Sequence, residues 1–598
     1  MTAKVVAVTV TGVVVVNGPE DDLGGPGIYI RWRDAEDNVA RLGQRIFKAT
    51  QAGDSKKVRS LQKLLLRSLS DTLVSVRQVA QRNKGRVTAG IDGEVALTPS
   101  AVARLATDVH WTRRSWRPLP VKRVYIPKAR DKAKLRPLGI PVLMDRCHQA
   151  RVRHALEPEW EARFEPRSYG FRPGRSCQDA IEAIFNTLRG KTAKRWWILD
   201  ADLEAAFDRI DHDHLLNRLG SFPARGLIRG WLKAGVFEHG KGFAPTERGS
   251  PQGGVISPLL LNVALHGLEE VAGVRYLTSG VDAGDVRRDR PVVIRYADDM
   301  LALCHTRVQA EQVKQRLAEW LQPRGLAFNE AKTRITGAGQ GCDFLGFGIR
   351  RYPNGKLLIK PSTAAIRRVR ERLAAEIRSL RGDNTVALIA RLNPIIWGWA
   401  AYYRGAVSGA VFNALDAYVW KLTYRWALRE HRRKSKWWVV GHHFGAFHPT
   451  RNDRWVFGDR CSGAYLIKFS WTRIVRHQMV KGGASPYDPA LADYWNTRRG
   501  KNPPPLGRST LRLLQAQQGR CPCCGDYLLH AEHQPMSPDE WEQWLVAARK
   551  AITKHAIATA PDGHQIRLIH AYCQQSQARL DGNSPNPLQP AGLPSRLA

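Results

Sequence analysis

Arg295-Tyr296-Ala297-Asp298-Asp299-Met300 lies between two short apolar runs, Val292 to Ile294 and Leu301 to Cys304. Apolar residues, then Tyr-Ala-Asp-Asp, then apolar residues read as strand, tight turn, strand. Two adjacent carboxylates at such a tip repel each other, which costs stability unless cations sit there, so the tip is a candidate divalent-metal site. An ordinary solvated turn is the alternative, because Asp is a common turn residue. The segment Trp196-Trp197-Ile198-Leu199-Asp200-Ala201-Asp202-Leu203-Glu204-Ala205-Ala206-Phe207-Asp208 weighs against that alternative. It begins as a buried strand and ends in acidic and aromatic residues. If Asp202 closes a strand beside the Asp298 hairpin, three carboxylates converge. Such a set can hold two Mg²⁺ ions about 3.5–4 Å apart, clamping the attacking and leaving oxygens of a phosphoryl transfer.

With Asp202 five residues before Phe207, and Tyr296 to Asp299 downstream, the sequence resembles a reverse transcriptase palm. More narrowly, it is similar to the reverse transcriptase/maturase proteins encoded by group II introns, over about residues 28 to 500 and more weakly to 580. The resemblance implies an α+β right hand of fingers, palm and thumb, with a helical maturase domain and a small zinc-dependent ββα module. It divides the chain into a leader (1–36), an N-terminal extension of the fingers (37–115), fingers and palm (116–352), thumb/maturase (353–448), a DNA-binding segment and linker (449–505) and an HNH endonuclease-like domain (506–598). The implied chemistry is RNA-templated DNA synthesis from deoxynucleoside triphosphates, with Asp202, Asp298 and Asp299 holding the Mg²⁺ ions. Further implied tasks are assisting intron splicing and carrying the intron RNA into a DNA target.

Composition agrees with a nucleic-acid partner. Lys and Arg number 93 against 54 Asp and Glu, a formal charge of +39 on 598 residues. An excess of that size calls for a polyanion. A membrane surface is disfavoured because no basic amphipathic anchor or lipidation signal stands out. The longest apolar-rich run, Val5 to Val16, is too short to span a bilayer and lacks signal-peptide features, so it reads as a strand or a leader outside the fold. Of nine Cys, five are scattered, which points to a reducing compartment. The expected location is therefore the cytoplasm, with the ribonucleoprotein or nucleoid. Monomer and homodimer both remain open.

Taken in order, residues 37 to 82 carry helical spacing and end at the Gly-rich Asn83 to Gly93, expected to be a loop; the resemblance places it near the template, with an ordinary connector as the alternative. Val124 to Lys128 and Leu135 to Pro141 suit a basic hairpin. Arg136 offers a planar fork to phosphate and Lys128 a point charge. The resemblance places both against the incoming nucleotide, whereas a solvated hairpin is the alternative for Lys128. The resemblance places Ser168-Tyr169-Gly170-Phe171-Arg172 through Ser176 in a loop and helix start facing template or primer. A bulky ring at Phe207 would collide with a 2′-hydroxyl and favour deoxynucleotides; a core Phe is the commoner role. In Gly249-Ser250-Pro251-Gln252-Gly253-Gly254, paired glycines let the backbone approach a base pair, and Gln252 can hydrogen-bond to template or nucleotide. Lys332 is expected at the triphosphate or primer end, or else at the surface. Phe344-Leu345-Gly346-Phe347 resembles the primer-grip hairpin.

From Ser362 the period is helical, with Gly382 ending the run. Across residues 361 to 440, 15 Lys or Arg stand against 5 Asp or Glu. Such a cationic helical layer, with Arg367, Arg368 and Arg370 on it, suits contact along an A-form backbone. The stretch Leu392 to Arg404 resembles the maturase domain that grips intron RNA, with Trp397 and Arg404 as contacts and a helical core as the alternative for its aromatics.

Cys521-Pro522-Cys523-Cys524, followed by His530 to His533 and by Gln565 to Cys573, looks like an HNH nuclease module. There Cys521, Cys524 and Cys573 would hold a structural Zn²⁺. His533 would be the general base on water, and His570 a ligand of one catalytic Mg²⁺. Gln565 stands where the pattern expects Asn, and Gln574, Gln575 and Ser576 stand where a fourth zinc ligand is expected, leaving Cys523 or His530 as substitutes. A degenerate module that only binds DNA is the alternative.

Overall fold

The computed structural model describes residues 32–574 apart from 129–130, 282, 502–503, 505, 524, 526, 530–534, 536, 560–562 and 572. The Val5 to Val16 run, Cys524, His530 and His533 lie outside the described residues.

Three helices, Trp32–Gln51, Ser55–Arg67 and Leu69–Arg77, open the described chain. The spacing of Val58, Leu61 and Leu65 buries one stripe of the second, and Asp54 caps it by accepting the Lys57 N–H at 2.9 Å. After them the Gly-rich segment is pinned rather than free. Arg146 donates to the Gly85 and Thr88 carbonyls at 2.9 and 2.8 Å.

The strands in chain order are β1 (Val121–Lys128), β2 (Asp131–Ile140), β3 (Trp197–Asp202), β4 (Val236–Glu238), β5 (Gly242–Ala244), β6 (Val292–Tyr296), β7 (Asp299–Cys304), β8 (Arg334–Gly337), β9 (Cys342–Phe344), β10 (Phe347–Arg351) and β11 (Leu357–Pro361). The basic hairpin β1–β2 forms as the pattern predicts. β4 adds to it in parallel, and β5 follows, in the order β2-β1-β4-β5.

The palm sheet runs β6-β7-β3-β8, all antiparallel. Every residue of β6 is buried, because helices Cys177–Leu188 and Arg307–Leu321 pack on this sheet. That explains a continuous Val-Val-Ile run in place of alternation. A separate sheet, β11-β10-β9, leads to the helices Thr363–Ser379, Thr385–Tyr403, Gly409–Glu430 and Lys436–His443.

Residues 476 to 498 fold back onto the palm. His477 and Arg498 contact the Asp179 carboxylate at 2.9 and 2.8 Å, and Arg476 pairs with Glu182 at 2.7 Å. Burial works against the Asp179 charge, but the His477 hydrogen bond and the Arg498 cation hold its carboxyl below the usual range. Within the segment expected to bind DNA, His477 and Arg498 are thus paired with buried Asp179, while Arg476 pairs with Glu182 at the surface. Among the described residues no helix is long and apolar enough to cross a membrane.

Candidate active site and nucleic-acid interface

The β6–β7 hairpin pairs Tyr296 with Asp299, which leaves Ala297 and Asp298 as the turn. Ala297 takes the left-handed conformation, φ 57°, which Ala adopts only when its surroundings impose it. Those surroundings are visible. Arg295 is 2% exposed, and its guanidinium donates to Asn262 Oδ1 at 2.9 Å, the Ala297 carbonyl at 3.0 Å and Ser168 Oγ at 2.6 Å. Asn262 Nδ2 in turn donates to the Gly170 carbonyl at 2.9 Å. Gly170 lies against the turn so closely that a Cβ there would sit 2.3 Å from the Ala297 nitrogen. Burial pushes the Arg295 guanidinium down to about 10, still charged at neutral pH.

This buttress was not foreseen from the pattern. Ser168 to Ser176, expected to face template or primer, is largely buried. Arg172 pairs with Glu161 at 2.9 Å and donates to the Glu165 and Ser168 carbonyls at 2.7 and 2.8 Å. The Ser-Tyr-Gly at its start marks a backbone seat for the turn, and the glycine is the signal that could have shown it.

On the other side, β3 pairs with β7 in a register that sets Asp202 directly opposite Asp299. Asp202, Asp298 and Asp299 therefore gather at one end of the palm sheet. Burial raises the Asp298 carboxyl above its ordinary range and the Asp202 charge adds to it, while Arg136 and Lys332 pull it back down. Lys332 is ion-paired with Asp202, and the Asn329 N–H donates to the Asp202 carbonyl at 2.8 Å, which ties the Leu326 to Thr333 loop to the strand end. Arg136 is exposed on β2, opposite Ile126. Lys128 closes β1 opposite Asp131.

The adjoining wall is built from the two other expected segments. The Ser250 N–H donates to the Phe207 carbonyl at 2.6 Å, and the Gly139 N–H to the Gln252 carbonyl at 2.7 Å. The second bond fastens the Gln252 loop to the end of β2. Gly253, at φ 122°, leaves no room for a side chain, since a Cβ would lie 2.6 Å from the Gly139 carbonyl oxygen. Phe207 is half-buried, its ring edge-on to Phe171 at 6.3 Å between centroids.

The Phe344–Phe347 pairing leaves Leu345 and Gly346 as a two-residue turn, both at positive φ. Tyr402 donates to the Leu345 carbonyl at 2.8 Å and Tyr403 to that of Gly346 at 3.2 Å. Tyr402 and Tyr403 therefore hold the hairpin, and Trp399 fills the core, where it meets Tyr403, Phe412 and Phe469.

Of the expected RNA contacts, Arg367 and Arg368 are exposed. Arg370 lies over the Tyr418 ring at 4.3 Å. Arg404 is half-buried, its guanidinium shifted down by burial. The Trp397 ring carries the Arg549 guanidinium at 3.6 Å, because helix Pro538–Ala551 packs along Thr385–Tyr403. Arg372 adds ion pairs to Asp539 and Glu542 of that helix, at 2.7 and 2.8 Å.

In the C-terminal part, Cys521, His570 and Cys573 are buried with their ligand atoms within 4.8 Å of one another. His570, expected at a catalytic metal, thus lies with two of the expected zinc cysteines. Its Nε2 donates to the Tyr527 carbonyl at 3.1 Å. Gln565 is exposed on the strand Gly563–His570.

Three family models match parts of the chain between residues 29 and 444. Residues 126–349 match the family described as reverse transcriptase (RNA-dependent DNA polymerase), residues 29–109 the N-terminal domain of reverse transcriptase, and residues 366–444 the group II intron maturase-specific domain. Protein YkfC of Escherichia coli (strain K12) is 34% identical over 340 residues, covering 51% of this chain and 86% of that protein. The group II intron-encoded protein LtrA of Lactococcus lactis subsp. cremoris is 28% identical over 371 residues, 52% of this chain and 60% of that protein. Maturase-like protein 1 of Euglena gracilis is 25% identical over 379 residues, 62% of this chain and 76% of that protein. The chain belongs to the family of group II intron-encoded reverse transcriptases with a maturase domain.

Proposed function

We propose that this protein copies RNA into DNA at the Asp202, Asp298 and Asp299 cluster and assists the splicing and mobility of a group II intron. The observation that carries the reading is the register placing Asp202 opposite Asp299, with Asp298 at the adjoining turn.

The donor set fits Mg²⁺: hard carboxylate oxygens, one of them raised by burial and by a neighbouring carboxylate, favour a dication over mutual repulsion. When bound, two such ions would lower the pKa of the primer 3′-hydroxyl, so that it can attack, and neutralise the charge that builds on the departing pyrophosphate. The chain's own residues do the rest. Arg136, and Lys128 at the end of β1, hold the triphosphate of the incoming deoxynucleotide. Lys332 moves from Asp202 to phosphate or primer as nucleotide and metal arrive. Phe207 bars a 2′-hydroxyl, and Gln252 contacts the template or nucleotide.

Arg367, Arg368, Arg370 and Arg404 serve the intron RNA, with Trp397 joining them only if the Pro538–Ala551 helix lifts. The proposed division of labour is an N-terminal extension of the fingers over 37–115, fingers and palm over 116–352, thumb and maturase over 353–448, DNA target contacts over 449–505 and a zinc-dependent HNH-like nuclease over 506–598. In the last, Cys521, Cys524, Cys573 and His570 are the metal-binding set and His533 the base, at the intron's ribonucleoprotein on its DNA target.

The experiment is primer extension on an RNA template with Mg²⁺. Asp298→Ala abolishes extension and spares RNA binding; extension near the wild-type rate overturns the catalytic assignment. For the nuclease, His533→Ala loses nicking of the second DNA strand while extension persists, and a wild-type protein that never nicks its target leaves the module a DNA-binding relic.

A further inference from the structure

The turn between helices Gly409–Glu430 and Lys436–His443 carries Arg432, Arg433 and Lys434, and it is closed by imidazoles rather than by carboxylates. His431 caps the first helix, and His442 and His443 end the second. One ring nitrogen from each lies within 4.8 Å of the others. His431 Nε2 and His443 Nε2 are 2.9 Å apart.

The three rings are held from outside. Trp438 stacks on His442 at 4.5 Å and 11°, and Phe457 on His443 at 5.6 Å and 13°. Thr385 Oγ1 lies 3.4 Å from His443 Nδ1, so a hydroxyl partner is at hand for the nitrogen facing away from the cluster. Outer hydrogen bonds of that kind set the tautomer of a ligating histidine.

The geometry points to a transition-metal site formed by His431, His442 and His443, filled by Zn²⁺ or a dication of similar softness. Tetrahedral coordination at about 2.0–2.1 Å per nitrogen needs ring nitrogens about 3.3 Å apart, a small outward adjustment from the 2.9 Å pair. Nitrogen donors select zinc-like ions over Mg²⁺. Both helices direct their C-terminal ends, which carry partial negative charge, at the cluster. The Asp459 carboxylate interacts electrostatically with His442 and His443, offsetting part of the local basic charge. Three protein ligands leave the fourth position to water. A bound ion would lock the turn and so fix where its basic residues meet RNA. The site is separate from the Cys521 cluster and independent of the polymerase assignment.

The test uses the full-length, tag-free protein, stripped with EDTA and re-equilibrated with Zn²⁺ alone. Bound zinc is measured by elemental analysis and by competition with a chromophoric chelator. Exposed His442 is the first target, because His442→Gln leaves the buried packing intact, and His431→Gln is the second. Each variant is expected to hold one zinc ion fewer per chain than wild type with unchanged circular dichroism. Co²⁺ substitution is expected to lose a nitrogen-ligand d–d band while any thiolate band stays. Equal zinc content in wild type and both variants overturns the proposal, as does a wild type whose only bound metal shows thiolate ligation. In those cases the His431–His443 contact is an ordinary hydrogen bond.

Discussion

Gly170 and Ala297 are in backbone contact: a Cβ on Gly170 would fall 2.3 Å from the Ala297 nitrogen and 3.0 Å from its Cα. No flexible side chain end is available to yield, so a methyl group must push the turn that carries Asp298. Overpacking of this kind costs about 1–3 kcal/mol. Gly170→Ala is therefore expected to slow primer extension by about tenfold or more, since each 1.36 kcal/mol lost at the transition state is tenfold in rate. RNA binding by a gel-shift assay should stay at the wild-type level, and extension at the wild-type rate would show that the turn does not need this seat.

The same turn is held from below by Arg295, and Asn262 is the link that can be removed most gently. Asn262→Ala takes away the acceptor for one Arg295 N–H and the donor to the Gly170 carbonyl. A buried polar group left without its partner costs about 1–3 kcal/mol. The residue touches neither metal nor nucleotide, so kcat for extension should fall while KM for the deoxynucleotide stays within about twofold. A pure KM effect would place Asn262 in substrate contact instead.

The Asp298 carboxyl gives a pH-dependent readout. Burial and Asp202 raise it, and Lys332 and Arg136 oppose that rise. Removing a cation disfavours the ionised form, so Lys332→Met raises the Asp298 pKa further. The carboxylate is the metal-binding form, and the acid limb of the extension rate in Mg²⁺ must then move to higher pH. Initial rates across about pH 5–8 test this; a limb that stays put or moves to lower pH excludes Lys332 as the counter-charge.

The strand–turn–strand around Asp298 and the placement of Asp202 beside it were legible because buried β-strands must be apolar, and the acidic residues interrupt them at their ends. The β1–β2 hairpin and the helix after Ser362 were legible for the same periodic reasons. The buttress of Arg295, Asn262, Ser168 and Gly170 was not, because its members are spread over 127 residues between Ser168 and Arg295 and none breaks a local pattern. Nor was the use of His477 and Arg498 inside the fold. A basic segment looks the same in sequence whether its partner is a phosphate or a buried Asp179. Trp397 was undecidable from its own surroundings, since the Arg549 that covers it arrives from the C-terminal part of the chain.

Phe207 tests sugar selection. Its backbone is anchored by Ser250, and its ring is steadied edge-on by Phe171. Phe207→Ala removes the bulk without disturbing the carbonyl that Ser250 needs. Discrimination against ribonucleotides, read as the ratio of kcat/KM values, is expected to fall by about tenfold or more, because one bulky contact supplies about 1–3 kcal/mol of selectivity. Phe171→Leu should lower it less, by loosening the ring. Unchanged discrimination in Phe207→Ala would leave the ring a core residue only.

His148 supplies a prediction about stability rather than chemistry. It is fully buried, stacked on Trp116 at 5.7 Å, and accepts from Arg151 at its Nδ1, 3.2 Å away. Burial, and then the Arg151 charge, push it down to about 3 from an ordinary 6.5. Between those two values the unfolded chain holds a proton that the folded chain does not, so stability rises with pH across that window and is lost as pH falls below 6.5. From pH 7 to pH 5 this single group accounts for a loss of about 2 kcal/mol. His148→Phe keeps the stack on Trp116 and removes the titration. The fall in melting temperature between pH 7 and 5 should therefore be shallower in the variant than in wild type. Parallel slopes would mean that the folded protein protonates His148 as readily as the unfolded chain does.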